Sequence, residues 1–483
     1  MASRPEKPFY ITTTLPYVNA APHIGFAAEL IRADIIARWK KHSGHEVFFN
    51  TGTDEHGQKV YQKAKEAHVE TQEFCDQASS KFKALLPALG VMPEVNFVRT
   101  TDPHHIKAAQ EFWKIADKNG FIYKKDYSVK YCVGCELEKT DSELVNGRCP
   151  LHPLQELEII HEENYFFKAS AFRQKLLDLY ASRPDFVVPD FRFNEIRAFV
   201  ERGLEDFSIS RLKSKMPWGI EVPGDPEQVM YVWFDALVNY ISAVGWPDRE
   251  ADFRKWWLDT GGVVQYCGKD NIRQQSAMWQ AMLMAVGLPP SRTIVIDGFV
   301  TGEGGVKMSK SLGNTVDPID LVKEYGTEAL RYYVAREVSP FEDSPFTAAH
   351  FKEAFNASLA NGVGNLTSRI MKMAADNLDS PVAVKPAAYP DDFKQALDSF
   401  NIQVATNVIW RHIAEADGII QSKSPFKLVK TDKGAAQEII KDLVIRLHAI
   451  ACMLEPIMPV TSASIRSLVV ANEMPKAPLF QRK

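Results

Sequence analysis

Residues 9–50, FYITTTLPYVNAAPHIGFAAELIRADIIARWKKHSGHEVFFN, carry the pattern that decides the fold. The apolar and β-branched run over 9–15 predicts a buried strand, the turn-rich residues 16–22 follow it, and a helical pattern covers 23–42. A second strand is predicted over 46–50. Strand, loop, helix and strand in this order form the βαβ unit of a parallel, doubly wound sheet. We therefore predict an α/β fold whose ligands bind beyond the carboxyl ends of the strands.

The predicted sheet is interrupted further along the chain. An irregular, cysteine-containing stretch follows the first half, and strand-like segments return at 229–233 and 293–297. Beyond about His350 the periodicity is almost wholly helical, which predicts a separate helical bundle. The predicted parts are the first half of a Rossmann-type domain (1–119), an insertion (120–226), the second half (227–298), a lysine-containing loop with its following region (299–350) and the bundle (351–483).

The composition is that of an ordinary folded protein. The chain has 483 residues, of which 45% are hydrophobic and 24% charged, and its formal net charge is −4. This length suggests roughly three domains. The sequence contains no run of about 18 apolar residues, and its first residues are polar rather than an apolar leader. We expect a cytoplasmic protein with no membrane partner.

Three of the six cysteines crowd together with a histidine. Cys132 and Cys135 form one close pair, and Cys149 and His152 form another. Three thiolates and one imidazole at this spacing are typical of a tetrahedral zinc knuckle. Four protein ligands leave no open position for water, so we predict one structural Zn²⁺ per chain that rigidifies the insertion. Three buried free thiols are the alternative, but a polar loop offers them little apolar cover.

The segment PHIG at 22–25 lies where a loop enters the first predicted helix. Main-chain N–H groups and the positive end of the helix face a phosphate bound there. Gly25 permits a close approach, and His23 adds a donor. Taken alone, this segment is more typical of a helix cap or a surface residue.

The segment KMSKS at 307–311 follows the glycine-containing residues 302–305. A flexible stretch of this kind lets two ammonium groups, those of Lys307 and Lys310, swing onto a polyphosphate. Taken alone, such a segment is more typical of an exposed basic turn. The sequence contains no Walker pattern, which argues against an ordinary P-loop ATPase.

Together, the two segments resemble the paired signatures, written HIGH and KMSKS, of the class I aminoacyl-tRNA synthetases. Five further stretches make the resemblance one to the methionyl-tRNA synthetase family along almost the whole chain. They are LPY at 15–17, GTDEHG at 52–57, YVWFDA at 231–236, GKD at 268–270 and VGNL at 363–366. The resemblance implies a Rossmann-type catalytic domain with a zinc-knuckle insertion, a tRNA stem-contact region after the KMSKS loop and an all-α anticodon-binding bundle.

The activity implied by the resemblance is that of a methionine–tRNA ligase. The methionine carboxylate attacks the α-phosphorus of ATP, and a ribose hydroxyl of tRNA(Met) then attacks the adenylate carbonyl. Catalysis comes from orienting the reactants and stabilising charge on the phosphate oxygens, with Mg²⁺ accompanying the ATP. The residues implied in catalysis are His23, Lys269, Lys307 and Lys310, and those implied in ATP binding are His23, Gly25, Glu29, Lys307, Ser309 and Lys310.

The resemblance also implies a methionine pocket. Asp54 pairs with the ammonium group, because a carboxylate and a cation form a strong hydrogen-bonded pair. Aromatic rings offer polarisable contacts to a thioether sulfur. The residues implied around the side chain are Leu15, Tyr17, Trp233, Ala236, Tyr240 and Gln275. Taken individually, Trp233 and Tyr240 also fit ordinary core positions.

Two positions depart from the family pattern. Phe26 stands where the first signature usually ends in a histidine, so the contribution of that side chain to phosphate or ribose binding is absent. We expect a modest loss of rate or a substitution by a neighbour. Gln275 stands where many members have a histidine near the methionine sulfur. A glutamine still donates a hydrogen bond, but the sequence leaves the shape of the pocket undetermined.

The helical C-terminal region resembles the anticodon-binding bundle of the family. Asn365 and Arg369 match positions that read the CAU anticodon, and Phe426 occupies the place of a usual tryptophan. A phenylalanine can still stack on a base. Without the resemblance, Asn365 and Arg369 would be taken for a solvated helix face. The sequence has no appended domain beyond the bundle, which predicts a monomer.

Two alternatives remain at this point. Among other class I enzymes, the insertion is too short for the editing domain of the leucine, isoleucine and valine enzymes. A cysteine enzyme would bind zinc within the amino-acid pocket, whereas the four metal-ligand candidates here lie in the insertion. The second alternative is a non-catalytic tRNA-binding paralogue in which Phe26 marks a decayed site. The presence of Asp54, Lys307 and Lys310 argues against it.

Overall fold

The central sheet of the computed structural model has six strands, and all of their pairings are parallel. The structure describes residues 7–135, 137–139, 141–306, 308, 315–385 and 388–483. In spatial order the strands are Asn96–Arg99, His45–Thr53, Lys7–Thr12, Val264–Gly268, Thr293–Asp297 and Val187–Val188. The predicted α/β fold with a parallel sheet is confirmed.

The first strand shows why the sheet is buried on both faces. Phe9 and Ile11 pack into one apolar core, and Tyr10 between them packs into the other. Successive residues of a strand point to opposite faces, so a strand covered on both sides reads as a continuous apolar run. The first helix, Ile24–His42, covers one face and is buried along most of its length.

Two sequence predictions in the catalytic part differ from the structure. The first strand ends at Thr12 rather than at Leu15, and the main-chain N–H of Thr14 donates to the side chain of Glu29 instead of to a neighbouring strand. The prediction of a strand over 229–233 is wrong. Asp225–Met230 is a strand of a separate antiparallel sheet, and Val232–Ala236 is a helix. The periodicity of a short apolar run does not distinguish a strand from a helix.

The chain between the two halves of the central sheet forms two small antiparallel sheets. The strands of the first are Leu137–Lys139, Ile122–Cys132, Glu158–Phe167 and Phe207–Ser208, and those of the second are Glu221–Val222, Asp225–Met230 and Ser210–Leu212. The helices Arg173–Ser182 and Asp190–Arg202 flank Val187–Val188. This strand pairs with Thr293–Asp297. The segment predicted as an insertion therefore supplies the edge strand of the central sheet.

The part of the chain before the bundle contains further helices. They are Gln58–Glu66, Thr71–Ala88, Pro103–Lys118, Asn239–Ser242, Glu250–Phe253, Trp279–Ala285, Pro318–Tyr325 and Thr327–Arg336, with π-helical turns at Arg254–Leu258 and Gln274–Met278 and 3₁₀ turns at Asp141–Glu143, Ala169–Phe172, Lys269–Asn271 and Glu303–Gly305. The short strands Val300–Thr301 and Ser344–Pro345 pair with each other. Across the described ranges, no helix has both the length and the apolarity needed to cross a bilayer.

From Ala348 onward the described chain is helical, as predicted. The helices are Ala348–Ala354, the π-helical Phe355–Gly364, Asn365–Asn377, Asp391–Asp398, Ile402–Lys423, Pro425–Leu428, Lys433–Leu454 and Pro459–Ala471. The buried Arg331 joins them to the catalytic part. Its guanidinium pairs with Asp34 of the first helix at 2.7 Å and donates to the main-chain oxygens of Pro456 and Ile457. Because a buried charge is stable only when it is paired, these contacts fix the junction.

Candidate active site

A cavity of about 460 Å³ opens at the carboxyl ends of the central strands. It lies where the strand order reverses, between Lys7–Thr12 and Val264–Gly268. Doubly wound folds bind their ligands at this switch point. Thr14 follows the strand Lys7–Thr12, Asp54 follows His45–Thr53, and Asp297 ends Thr293–Asp297, so each lines the cavity.

Every residue that was predicted to bind methionine lines this cavity. These residues are Leu15, Tyr17, Asp54, Trp233, Ala236, Tyr240 and Gln275. The loop after the first strand is held to the end of the second, since Asp54 N donates to Pro16 O at 3.0 Å and Val18 N donates to Asp54 O at 3.1 Å. The Asp54 residue is only 7% exposed. A buried carboxylate beside apolar and aromatic walls suits a ligand that carries a cation and an apolar tail.

The Gln275 side chain is anchored at both ends of its amide. Its Nε2 donates to the Tyr240 hydroxyl at 2.6 Å, and its Oε1 accepts from Gln265 Nε2 at 2.9 Å. The hydrogen bond that a glutamine can still donate at this position is therefore made to the Tyr240 hydroxyl. Burial raises the pKa of Tyr240 far above its ordinary value, so this residue stays a neutral hydroxyl.

The start of the first helix forms another wall of the cavity. His23 caps the helix, because its Nδ1 accepts the main-chain N–H of Gly25 at 3.1 Å. Because Nδ1 is the acceptor, the ring hydrogen of a neutral His23 lies on Nε2. The Gly25 N–H is satisfied by the same hydrogen bond. One turn further, Glu29 accepts from the main-chain N–H of Thr14 at 2.7 Å. Burial raises the pKa of Glu29 well above its ordinary value.

Phe26 lines the same cavity and packs edge-on against Phe82. The ring centroids are 5.5 Å apart and the planes meet at 82°. Edge-to-face pairs of this kind are favourable for aromatic rings. A phenyl ring offers no hydrogen-bond donor, so an apolar contact stands where the family signature usually supplies an imidazole.

Only part of the lysine segment belongs to the described residues. Met308 lines the cavity. The residues of this segment that lie outside the described ranges are Lys307, Ser309, Lys310 and Ser311. Lys269 stands beside the cavity rather than in its lining: its Nζ donates to Asp343 Oδ2 at 2.7 Å and lies 4.5 Å from the centroid of the Phe299 ring. Burial opposes ionisation of Asp343, but the hydrogen bonds from Lys269 and from the main-chain N–H of Phe299, together with the nearby positive charges, lower its pKa.

The four predicted metal ligands converge. The ligand atoms of Cys132, Cys135, Cys149 and His152 all lie within 4.8 Å of one another. Cys135 Sγ is 3.4 Å from Cys149 Sγ and 3.2 Å from His152 Nδ1. Zinc bonds of about 2.0 to 2.3 Å place tetrahedral ligands roughly 3.5 to 3.8 Å apart, so the donor set fits this ion.

The metal-ligand cluster borders the cavity. Cys135 is one of the cavity-lining residues. Lys59, which also lines the cavity, donates from Nζ to the main-chain oxygen of Gly134 at 2.7 Å. Gly134 lies within the tight turn between the first two cysteines, where a Cβ would come within 2.4 Å of the His152 ring. The insertion and the cavity therefore share a wall.

Sequence reasoning missed several cavity residues. Asp270 and Asp297 follow or end buried strands, and a polar residue at that position of a parallel sheet was the signal that could have identified them. Lys59 and Phe82 lie on helices that carry no comparable mark. Their place in the lining depends on how the second and third helices pack.

The predicted anticodon-binding residues all lie in the helical bundle. Asn365 begins the helix Asn365–Asn377 and is exposed, whereas Arg369 of the same helix is half-buried and pairs with Asp417. Phe426 lies on the short helix that follows Ser424 and is 49% exposed. A half-exposed aromatic ring in a bundle is available to a partner.

Comparison with known proteins agrees with this geometry. A family model described as tRNA synthetases class I (M) matches residues 9–371. The chain belongs to this family. The methionine–tRNA ligase of Thermotoga maritima is 40% identical over 97% of this chain and 76% of its own length. That of Thermosynechococcus vestitus is also 40% identical, over 95% of this chain and 89% of its own length.

Solved structures of the class I methionine group share the whole fold. Mycobacterium tuberculosis methionyl-tRNA synthetase in complex with methionyl-adenylate is 33% identical to this chain and matches it with a TM-score of 0.89. The match covers 99% of this chain and 100% of that protein. The predictions of an aminoacyl-tRNA synthetase and of the methionine family are confirmed.

Proposed function

We propose that the cavity activates L-methionine with ATP, giving methionyl-AMP and pyrophosphate, and then passes the methionyl group to the 3′-terminal ribose of tRNA(Met). The observation that carries this proposal is the buried carboxylate of Asp54 in a cavity walled by Trp233 and Tyr240. The carboxylate pairs with the ammonium group, and the rings contact the thioether. The similarity of this chain to a methionyl-tRNA synthetase solved in complex with methionyl-adenylate supports the proposal.

The ATP site lies at the start of the first helix. His23 lines the cavity and caps the helix end whose positive dipole favours a phosphate. Catalysis follows from orientation and from stabilising charge on the phosphate oxygens, because neither step needs a covalent enzyme intermediate. The further residues proposed for ATP are Gly25, Glu29, Lys269, Lys307, Ser309 and Lys310. Mg²⁺ accompanies ATP, and the carboxylates that line the cavity are the oxygen donors it prefers.

The four-ligand cluster of the insertion holds a structural Zn²⁺ in this proposal. Three thiolates and an imidazole at tetrahedral separations are the support for this metal. The ion fixes the turn that Lys59 contacts through Gly134 and so stabilises one wall of the cavity. Chemistry at the metal is not required.

Binding of tRNA involves the bundle. We assign the anticodon to residues 351–483, with Asn365, Arg369 and Phe426 as the contacts, and the acceptor end to the insertion over 120–226. The support is the exposure of Asn365 and Phe426 and the family membership of the chain. The halves of the catalytic domain then correspond to 1–119 and 227–298, with the stem-contact region over 299–350. Such an enzyme acts in the cytoplasm, where tRNA is charged.

The Asp54→Asn variant tests the methionine site. The amide keeps the shape of the side chain but removes the charge, so methionine-dependent pyrophosphate exchange should fall by roughly 30- to 1,000-fold, the range expected for losing a buried charged pair. Asp76→Asn is the control, because Asp76 is half-exposed and pairs with Arg99. Exchange within about twofold of the wild type in Asp54→Asn would remove the proposed role.

A further inference from the structure

A series of buried polar side chains leads to the cavity wall. Its members are Gln280, Ser291, Gln265, Gln275 and Tyr240, and each is at most 1% exposed. We call this series the glutamine relay. Amides and hydroxyls are costly in an interior unless they are hydrogen-bonded, so a relay of this kind is stable only when its members are satisfied.

The hydrogen bonds of the glutamine relay run in one direction. Gln280 Nε2 donates to Ser291 Oγ at 3.1 Å, and Ser291 Oγ donates to Gln265 Oε1 at 2.5 Å. Gln265 Nε2 donates to Gln275 Oε1 at 2.9 Å, and Gln275 Nε2 donates to the Tyr240 hydroxyl at 2.6 Å. Tyr240 is the final acceptor. Its own hydroxyl hydrogen is therefore directed towards a partner outside the relay.

Main-chain groups fix the direction of these hydrogen bonds at Gln280, the first member of the glutamine relay. Gln280 Nε2 also donates to the main-chain oxygen of Gln275 at 2.8 Å, and Gln280 Oε1 accepts from the main-chain N–H of Ser291 at 2.9 Å. A main-chain oxygen only accepts and a main-chain N–H only donates, so the Gln280 amide has one possible orientation. Each amide after it inherits its orientation from the preceding member.

We propose that Gln265 and Ser291 are specificity-determining positioning residues, which hold Tyr240 as a hydrogen-bond donor towards the sulfur of the bound amino acid. This inference rests on the proposed activation of methionine. With the relay reversed, Tyr240 would donate to Gln275 and turn its lone pairs to the cavity, where they repel those of a thioether. Norleucine has a methylene in place of sulfur and accepts no hydrogen bond, so the relay favours methionine over it.

The Ser291→Ala and Gln265→Met variants break the glutamine relay at two points. The measurement is kcat/KM in ATP–pyrophosphate exchange with methionine and with norleucine, together with the midpoint of thermal unfolding. The methionine-to-norleucine ratio should fall about five- to tenfold in both variants, through a higher KM for methionine at a nearly constant kcat, as expected when one hydrogen bond is lost. Ser462→Ala is the matched control.

The control removes an equally buried hydroxyl from the bundle, where Ser462 donates to Ala451 O at 2.6 Å. It should keep the ratio of the wild type. A ratio within twofold of the wild type in both relay variants, or equal losses for the two amino acids, would overturn the relay while wild-type exchange with methionine persists. A folded wild-type protein that exchanges with neither amino acid would instead contradict the proposed function.

Discussion

Asp297, which lines the cavity, forms an ion pair with Arg32, and both side chains are buried. Arg32 Nη1 lies 3.2 Å from Asp297 Oδ2, and the other terminal nitrogen of Arg32 donates to Ser339 O at 2.8 Å. Burial raises the pKa of Asp297 from 3.8 to about 6, because Arg32 offsets only part of the desolvation. The folded protein therefore keeps a proton here that the unfolded chain releases.

This ion pair predicts a pH dependence of stability. Between pH 4 and 6 the folded state binds more protons at Asp297 than the unfolded state does, so this contribution is present at low pH and is lost as the pH rises. The shift corresponds to about 3 kcal/mol at most. The free energy of unfolding of the wild type minus that of Asp297→Asn, measured in urea, should fall by about 2 to 3 kcal/mol from pH 4 to 7. A constant difference would contradict the assignment.

The cysteine cluster predicts a metal content. Wild-type protein should contain one zinc ion per chain, and Cys149→Ser should lose most of it, because one of four ligands is gone. Amide hydrogen exchange over 132–152 should become faster in this variant. Cys452→Ser is the control, since this thiol lies in the bundle apart from the cluster, and it should retain the metal. Wild-type protein with far less than one zinc would remove the site.

The exposed ring of Phe426 predicts a separation of two activities. Phe426→Ala should lower tRNA charging about 5- to 100-fold, the loss expected for one base-stacking contact, and leave pyrophosphate exchange unchanged. Phe191→Ala offers a comparison outside the bundle, because this ring is 46% exposed against 49% for Phe426. If exchange and charging fell equally in Phe426→Ala, the ring would be a packing residue.

The position of the cavity could be predicted from the sequence for a physical reason. The run from Phe9 to the end of the first helix specifies a strand buried on both faces and its crossover helix, and a parallel sheet binds ligands at its strand ends. Asp54 was implied by the family resemblance alone, because the predicted second strand ended at residue 50 whereas the strand in the structure continues to Thr53. The cysteine pairs could be predicted because the donors of a metal site lie close together in the sequence.

Contacts between distant segments could not be predicted in this way. Trp233 lies on a helix, although a strand was predicted there. The prediction was wrong because a short apolar run is compatible with both. Gln265 and Gln280 look like ordinary polar residues in apolar surroundings, and only the packing of their strand and helix brings both to Ser291. Arg331 likewise shows its partners only when the bundle meets the first helix.

The central claim is that the cavity around Asp54 activates methionine. The most direct measurement is ATP–pyrophosphate exchange by the wild-type protein with each of the twenty amino acids supplied singly. Exchange should depend on methionine and exceed that with any other amino acid by more than an order of magnitude. Exchange that depends on a different amino acid, cysteine included, or no exchange with any of them, would contradict the account.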